Sequence, residues 1–270
     1  MSLQRYRNVS RRWGKLRIRA EGITDIGRCR QNNEDSLTLN EQQSFYVVAD
    51  GVGGQPAGEV ASRFVVERLS DIINRNPGSV ELEAGEILDA AIREVNRSLL
   101  SESANNPAWK GMSTTIVTAW CRNNEVNIAN VGDSRAYLVR EQLIEQLSED
   151  HTVLAEQQRE GLVGKDSSSR MAHVLTRCLG LESDVEVSIS SLPMQDGDRI
   201  LLCSDGLTDS LSEEVIRSVV LSSTNPGEAC RMLVELANRN GGRDNITVVL
   251  IFLDEGTIKT KISNMFGRRS

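Results

Sequence analysis

The sequence is poor in histidine, and its cysteines form no recognisable pattern. It has 2 histidines, His151 and His173, and 5 scattered cysteines without a Cys-x-x-Cys pair. Chemistry that needs several imidazoles is therefore nearly excluded, and neither a disulfide framework nor a structural zinc site is expected. Scattered cysteines indicate a reducing compartment, so we expect a cytoplasmic protein.

Long hydrophobic runs are also missing. The longest apolar stretches, 45–49 and 246–253, have the length of strands and fall far short of the roughly 20 residues that cross a bilayer. The basic N-terminal segment has no apolar stretch behind it, so neither a signal peptide nor a transmembrane segment is expected. With 39% hydrophobic and 26% charged residues, the composition is typical of a soluble globular protein.

The net charge of −7 conceals a marked asymmetry along the chain. Residues 1–19 hold seven basic residues and residues 256–270 hold four, and neither segment contains an acid. Between these segments, 20 basic residues stand against 38 acidic ones, a net charge of −18. Such an acidic body does not suit binding to nucleic acid, so no nucleic-acid partner is expected.

We therefore divide the chain into a basic N-terminal leader (1–19), one domain (20–254) and a basic C-terminal tail (255–270). The apolar residues of the tail recur at helical spacing between its basic residues, at Ile258, Ile262, Met265 and Phe266. A basic amphipathic helix of this kind can contact an anionic membrane surface or the acidic body itself. A frayed tail and a solubilising leader are the simpler interpretations, since chain ends are commonly frayed.

The hydrophobic pattern predicts separate helical and strand-rich blocks inside 20–254. Helices are predicted from apolar residues at helical spacing and from capping residues, at 57–74, 82–100, 151–160, 213–220 and 226–238. Strands are predicted from short apolar runs between turn residues, at 16–26, 45–49, 114–121, 125–131, 136–139, 185–189, 200–203 and 246–253. Separate blocks of this kind indicate an α+β fold, in which packed antiparallel sheets are covered by helices.

Aspartate recurs where predicted strands end. It stands beside glycine at three strand ends, and a fourth aspartate precedes the last strand: Asp50-Gly51, Gly132-Asp133, Asp205-Gly206 and Asp244. A single Asp-Gly pair is usually a hairpin turn. However, a hairpin turn is followed by a strand, whereas predicted helices follow Asp50 and Asp205. The four aspartates are therefore candidates for a shared site.

If these strand ends meet at one rim of the sheets, three or four carboxylates converge. Like charges at such distances would force protonation, so the cluster requires cations. Oxygen ligands without neighbouring histidine or cysteine favour Mg²⁺ or Mn²⁺ over zinc. Two such ions that share a carboxylate can hold a bridging hydroxide, which is a nucleophile for in-line displacement at phosphorus.

A polar segment from Arg30 to Asp35 adds a candidate for phosphate binding. Arg30 lies four residues before Glu34, where its guanidinium can bind phosphate oxygens through two parallel hydrogen bonds. The alternative is a solvated polar loop. Several competing motifs are absent from the sequence: Cys-x5-Arg, Gly-x4-Gly-Lys-Ser/Thr, His-Glu-x-x-His and Gly-x-Ser-x-Gly.

Seven short motifs follow one another through the domain. They are 24–36 (with Asn32-Asn33-Glu34-Asp35), 49–54 with Gly58-Glu59, 111–115 (Gly-Met-Ser-Thr-Thr), 130–136 (Asn-Val-Gly-Asp-Ser-Arg-Ala), 174–177 (Val-Leu-Thr-Arg), 204–209 (Ser-Asp-Gly-Leu-Thr-Asp) and 244–247 (Asp-Asn-Ile-Thr). In order and spacing this series resembles the metal-dependent protein phosphatases of type 2C, the PPM family. The resemblance covers about 20–254, and its first two motifs are similar to the bacterial branch.

The resemblance implies a fold and an activity. The fold is an α/β/β/α sandwich, with two antiparallel sheets packed face to face and helices outside each. The activity is hydrolysis of phosphoserine and phosphothreonine monoesters on proteins, opposing a serine/threonine kinase in signalling. The implied partners are thus a phosphorylated protein substrate and a cognate kinase.

The resemblance also implies a set of metal ligands. Asp50 would bridge two Mn²⁺ or Mg²⁺ ions, and the carbonyl of Gly51 would be a further ligand. Asp205 and Asp244 would complete the shell of one ion, and Glu34 would act on the other through water.

Further roles are implied for residues around these ligands. A weaker third ion would bind Asp133 together with Asp205, with Asp209 as an outer ligand. The substrate phosphate would bind Arg30. The predicted catalytic residues are therefore Arg30, Asp50, Asp133 and Asp205, and Asp35 and Asn245 are predicted to support the metal ligands.

Three features depart from the family pattern. Val52 and Gln55 stand where animal and many bacterial members, respectively, have a histidine. The serine-rich segment 161–171 lies where bacterial members have a mobile flap, but it resembles no motif. Neither His151 nor His173 adjoins an aspartate motif, so both are expected to be structural. The proton for the leaving group is then expected from water on the third ion.

Two other functions remain open at this point. One is a catalytically weak module that binds phosphorylated proteins on the same fold. The other is a phosphomonoesterase for small molecules. A metal-dependent assay that compares a phosphopeptide with a small phosphoester distinguishes all three.

Overall fold

The computed structural model describes residues 4–13, 16–52, 57–75, 82–164 and 173–255. The strands in these ranges are β1 (Gln4–Trp13), β2 (Leu16–Asp25), β3 (Asp35–Asn40), β4 (Phe45–Asp50), β5 (Ile116–Arg122), β6 (Glu125–Val131), β7 (Arg135–Arg140), β8 (Leu143–Gln146), β9 (Ser188–Pro193), β10 (Arg199–Cys203) and β11 (Ile246–Glu255). The helices are α1 (Gly58–Arg75), α2 (Ala84–Asn105), α3 (Val153–Arg159), α4 (Asp205–Thr208), α5 (Glu213–Ser222) and α6 (Pro226–Arg239).

The strands form two antiparallel sheets that pack face to face. One sheet has six strands in the order β1-β2-β11-β10-β7-β8, and the other has five in the order β3-β4-β5-β6-β9. Helices α1 and α2 contact the five-stranded sheet, whereas α5 and α6 contact the six-stranded sheet. The predicted α+β sandwich of two sheets flanked by helices is therefore confirmed.

Strand β4 explains the continuous apolar run at 45–49. Phe45 and Val47 pack in the core between the five-stranded sheet and its helices, whereas Tyr46 and Val48 pack in the core between the two sheets. All four side chains are fully buried. Successive side chains of a strand point to opposite faces, so a strand that is covered on both faces is apolar at every position.

Besides β1, two strands are not predicted by the sequence pattern. Strand β3 begins and ends in polar residues, and it contributes only Leu37 and Leu39 to the core between the sheets. Strand β8 lies at the edge of its sheet and has no fully buried residue. Both strands are short and mostly polar, and they are held by hydrogen bonds to their neighbours rather than by a hydrophobic pattern of their own.

Two other elements differ from their predicted bounds by three residues or more. Strand β9 begins at Ser188 rather than at Val185, because Val185 and Val187 pack against the α1–α2 side of the core before the strand starts. Helix α2 extends to Asn105, five residues beyond its predicted end. No described helix has the length and apolarity that a membrane span requires.

The N-terminal segment belongs to the sheet. Strand β1 pairs with β2 in antiparallel register, and β2 begins at Leu16. The predicted boundary between residues 19 and 20 thus lies inside β2, because the backbone of this segment continues the hydrogen-bonding of the six-stranded sheet. The predicted helix in the tail, Gln55, and most of the serine-rich segment lie outside the described residues.

Candidate active site

Four strand ends meet at one rim of the sandwich. Asp50 ends β4, Asp133 lies between β6 and β7, Asp205 begins α4 with one residue between it and β10, and Asp244 precedes β11. All four line a cavity of about 530 Å³. Other predicted site residues line the same cavity: Arg30, Glu34, Gly51, Asp209 and Asn245. The structure thus brings together the carboxylates whose convergence the sequence predicts.

Hydrogen bonds to two threonines fix the backbone of Asp50. Its N–H donates to Oγ1 of Thr115 (3.0 Å), and its carbonyl accepts from Oγ1 of Thr114 (2.7 Å) and from N–H of Thr115 (2.8 Å). Thr115 Oγ1 also shares a hydrogen bond of 2.7 Å with Oγ of Ser134. Because Ser134 follows Asp133, this chain of contacts holds two of the carboxylates in one fixed arrangement.

Two glycines allow the start of α1 to approach the site. A Cβ at Gly51 would lie 2.4 Å from the carbonyl oxygen of Gly58, and a Cβ at Gly58 would lie 2.7 Å from Oε2 of Glu34. Oγ of Ser62 in α1 donates to the carbonyl of Glu34 (2.6 Å). The Asp-Gly pair is therefore needed here for close backbone packing, which brings the Glu34 carboxylate beside Gly51.

Asp35 and Asn245 support the site through hydrogen bonds. Ser204 Oγ donates to Oδ2 of Asp35 (2.7 Å), and Oδ1 of Asn245 accepts from the backbone N–H of Glu34 (2.8 Å). Burial raises the pKa of Asp35 to about 6. Ser204 directly precedes Asp205, so these contacts join the Glu34 segment to the ends of β10 and β11.

Simultaneous ionisation of the carboxylates in the cavity is strongly disfavoured. Burial and neighbouring carboxylates raise the pKa of Asp50 and of Asp205 well above the usual range. Burial raises the pKa of Asp133 to about 6, and it also raises the pKa of Glu34 and Asp209. Bound divalent cations would relieve this repulsion, and a donor set made mainly of carboxylate oxygens fits Mg²⁺ or Mn²⁺.

Arg30 lies at the cavity and is half exposed. Its Nη2 donates to Oδ2 of Asp244 (2.7 Å), and this hydrogen bond raises the pKa of the guanidinium further. The predicted phosphate-binding arginine thus contacts a predicted metal ligand directly. An anion bound at this place would meet both the guanidinium and the ions held by the carboxylates.

His173 is a site residue that the sequence analysis missed. Its Nδ1 lies 3.9 Å from Oδ2 of Asp205 and 3.7 Å from Oδ2 of Asp209. Ligand atoms of Asp133, His173 and Asp205 all lie within 4.8 Å of one another. The prediction that neither histidine adjoins an aspartate motif is therefore wrong for His173. The available signal was its place directly before the motif at 174–177.

A protein-family model described as protein phosphatase 2C matches residues 27–238. The chain is 38% identical over 243 residues to serine/threonine phosphatase stp of Listeria monocytogenes serotype 4b (strain F2365), covering 88% of this chain and 96% of that protein. The chain belongs to the protein phosphatase 2C family. The predicted family and its hydrolase class are confirmed.

Solved structures are similar to this phosphatase over most of its length. The serine/threonine phosphatase PstP/Ppp of Mycobacterium tuberculosis matches with a TM-score of 0.80 and 34% identity, covering 88% of this chain and 99% of that chain. A structure of the PstP catalytic domain in complex with two manganese ions matches with a TM-score of 0.78, 34% identity and the same coverage. These matches confirm the predicted family fold.

His151 has a structural place in the phosphatase. The buried ring accepts a hydrogen bond at Nδ1 from the N–H of Gly132 (3.0 Å), and its Nε2 lies 2.9 Å from Oγ of Ser188. Since Nδ1 accepts, the neutral ring carries its proton on Nε2 and donates it to Ser188. Burial, and secondarily Arg177, lower the pKa of His151 to about 4. His151 thus holds the turn that carries Asp133.

The buried neutral His151 predicts a pH dependence of stability. The unfolded chain binds the additional proton between pH 6.5 and about 4, so the contribution of this ring is complete above pH 6.5 and is lost as the pH falls through that range. The total loss is about 3 kcal/mol. His151→Gln preserves one acceptor and one donor and is expected to remove this pH dependence, measured by urea unfolding of the metal-free protein from pH 4 to 7.

The matched control is His173→Gln, because His173 is exposed. This variant is expected to retain the difference between pH 4 and pH 7 that the native sequence shows. An unchanged pH dependence in His151→Gln would contradict the structural role of the neutral ring.

Proposed function

We propose that this phosphatase hydrolyses phosphoserine and phosphothreonine monoesters on proteins with the help of two Mn²⁺ or Mg²⁺ ions. The observation that carries the proposal is the convergence of the Asp50, Asp205 and Asp244 carboxylates in one cavity with the Arg30 guanidinium. The relatives named serine/threonine phosphatases and the PstP complex with two manganese ions support it.

The proposed ligand roles are those that the family resemblance implies. Asp50, which lies in the cavity with the other carboxylates, would be shared by the two ions, and the Gly51 carbonyl would be a further ligand. Asp205 and Asp244 would hold one ion, and Glu34 would act on the other through water. When bound, the ions stabilise negative charge on phosphoryl oxygens and lower the pKa of bound water.

Arg30 binds the phosphate of the substrate. Its planar guanidinium can donate two parallel hydrogen bonds to phosphate oxygens, which a lysine cannot. The 2.7 Å contact with Asp244 orients the guanidinium towards the metal ligands. Arg30 therefore couples the position of the phosphate to that of the carboxylates.

The Asp133 end of the cavity would hold a weaker third ion. Asp133 and Asp205 would supply carboxylates, His173 would supply an imidazole nitrogen, and Asp209 would be an outer ligand. Ligand atoms of Asp133, His173 and Asp205 lie within 4.8 Å of one another, which supports the proposal. A nitrogen ligand makes this end of the cavity better suited to Mn²⁺ than to Mg²⁺, because imidazole is a poor ligand for hard ions.

Asp133→Ala is expected to lose the weak Mn²⁺ binding event in calorimetry while the two tight ones remain. A serine alkoxide departs only with a proton, whereas an aryl phenolate departs without one. The variant should therefore lower the single-turnover rate on a phosphopeptide by at least about 10-fold more than on an aryl phosphate. Equal losses on both substrates would leave Asp133 a positioning ligand only.

The cellular setting completes the proposal. The enzyme acts in the cytoplasm on phosphorylated proteins and opposes a cognate serine/threonine kinase in signalling. The scattered, unpaired cysteines support a reducing compartment. The basic tail, whose apolar residues recur at helical spacing, is the segment that would make any peripheral contact with an anionic surface.

A direct assay separates this function from its two alternatives. With Mn²⁺ present, a protein phosphatase hydrolyses a phosphothreonine peptide with a higher kcat/KM than a small phosphoester. A phosphomonoesterase for small molecules has the opposite preference, and a phospho-binding module binds the peptide without turnover. The complete set of carboxylates in the cavity supports turnover. A chelator should abolish it and an excess of Mn²⁺ should restore it.

A further inference from the structure

A second cavity, which we call the side groove, adjoins the active-site cavity. It has a volume of about 430 Å³, and residues between Leu175 and Glu186 line it. Leu175 lines both cavities. A chain whose phosphate lies at Arg30 could thus continue directly into the side groove.

The wall of the side groove is held in register with the catalytic carboxylates. Leu179 and Thr114 exchange two backbone hydrogen bonds, of 3.1 and 2.9 Å. Oγ1 of the same Thr114 donates to the carbonyl of Asp50 (2.7 Å). The groove therefore keeps a constant position relative to the site of phosphate hydrolysis, as a specificity subsite requires.

The side groove is lined by aliphatic residues, which we call its floor, and by charged residues, which we call its rim. In the floor, Leu175 lies at the junction of the two cavities, Val185 is buried, and Leu181 is 51% exposed. An exposed leucine beside a buried valine offers apolar surface to a ligand. The stem of a long side chain can pack on such a surface.

The rim of the side groove is acidic. Three carboxylates and one guanidinium line it, a net charge of −2, and they belong to Glu182, Asp184, Glu186 and Arg177. Arg177 pairs with Glu186 (3.0 Å), and Asp184 pairs with Arg93 from α2. Glu182 has no ion pair among the described residues, so one carboxylate of the rim is available to a cation.

The aliphatic floor and the acidic rim together are complementary to the side chains of lysine and arginine. Each of these side chains has an apolar stem that ends in a cation. We propose that the side groove binds basic residues on one flank of the phosphorylated serine or threonine. This inference rests on the proposed function, since it names the class of protein substrate. Attraction by the acidic body as a whole would act on both flanks alike, whereas a groove on one side of the cavity selects one flank.

Three phosphothreonine peptides test the inference at low ionic strength. One has two lysines on the N-terminal side of the phosphothreonine, one has them on the C-terminal side, and one has serine at all four positions. We expect kcat/KM on one lysine peptide to be about 5-fold higher than on the serine peptide. The other lysine peptide should lie within about 2-fold of the serine peptide. Added salt should diminish the preference, because exposed charges are screened.

Glu182→Lys should lower kcat/KM on the preferred lysine peptide to the value for the serine peptide. It should leave the rate on an aryl phosphate unchanged. The matched control is Glu235→Lys on α6, which makes the same charge change at an exposed position outside the groove and should retain the preference. A preference that survives Glu182→Lys, or equal preference for both flanks, overturns the inference. Peptide turnover without flank preference leaves the proposed function intact, whereas turnover of the aryl phosphate alone contradicts that function.

Discussion

Replacing Asp50 by asparagine is expected to lower kcat/KM on a phosphopeptide by at least about 1,000-fold in the presence of Mn²⁺. Asp50 lies in the cavity with the other carboxylates, and burial and ionised neighbours raise its pKa, so it is the residue proposed to be shared by the two cations. Asparagine has nearly the same shape but one neutral oxygen, and it would hold neither ion tightly. Asp205→Asn should have a comparable effect.

The same substitution should stabilise the metal-free protein. The pKa of Asp50 is raised in the folded state, so the folded chain loses stability as the pH rises above the unfolded value and the carboxyl must ionise. At pH 7, which lies well above the pKa of the carboxyl in the unfolded chain, this penalty is present, and asparagine removes it. The melting temperature of metal-free Asp50→Asn should rise by at least about 2 °C.

Calorimetric titration with Mn²⁺ gives the deciding measurement for both variants. The tight binding events should weaken in Asp50→Asn and in Asp205→Asn. The matched control is Asp71→Asn, an exposed position on α1, which should change neither metal binding nor turnover. Unchanged Mn²⁺ binding in Asp50→Asn and Asp205→Asn would contradict the assignment of these residues as ligands.

Arg30→Ala is expected to lower kcat/KM by about 10- to 150-fold, which corresponds to the roughly 1.5–3 kcal/mol of a charge-assisted contact to a dianion. Arg30→Lys should recover only part of the loss, because an ammonium cannot reproduce the two parallel hydrogen bonds. Inorganic phosphate should inhibit Arg30→Ala less well, as measured by its inhibition constant.

Metal binding distinguishes the phosphate role of Arg30 from a structural one. Arg30 contacts Asp244 at 2.7 Å, so its removal frees a ligand and should not weaken Mn²⁺ binding. Arg243→Ala is the matched control, since Arg243 is exposed, precedes Asp244 and is absent from the described lining of the cavity. A fully active Arg30→Lys variant would show that the two parallel hydrogen bonds of the guanidinium are not needed.

Much of the candidate site could be predicted because its signals are local. Asp50 and Asp205 each follow an apolar strand and precede a helix, and such transitions are visible as a change of hydrophobic period. Glycines 51 and 206 beside them fit the close backbone contacts found at these turns. The carboxylates that meet in the cavity therefore follow from residue type and position in the chain.

His173 and the side groove could not be predicted in this way. His173 contacts Asp205 and Asp209, and the segment that carries it is held at the cavity by two backbone pairings, of Leu175 with Thr152 and of Leu179 with Thr114. No periodicity in the sequence encodes a pairing between segments so far apart. The same pairing sets the register of the side groove relative to Asp50.

The sequence by itself determined the strand and helix blocks, the carboxylates of the candidate site and the family, because all of these depend on short-range patterns and motif order. The tertiary structure alone decided that β1, inside the predicted leader, extends the sheet, that β3 forms from a polar segment, and that His173 joins the aspartates. Each of these depends on backbone pairing between distant segments, whose hydrogen bonds involve no particular side chain. Such pairing depends little on residue type, so it cannot be predicted from the sequence and is seen only in the assembled sheets.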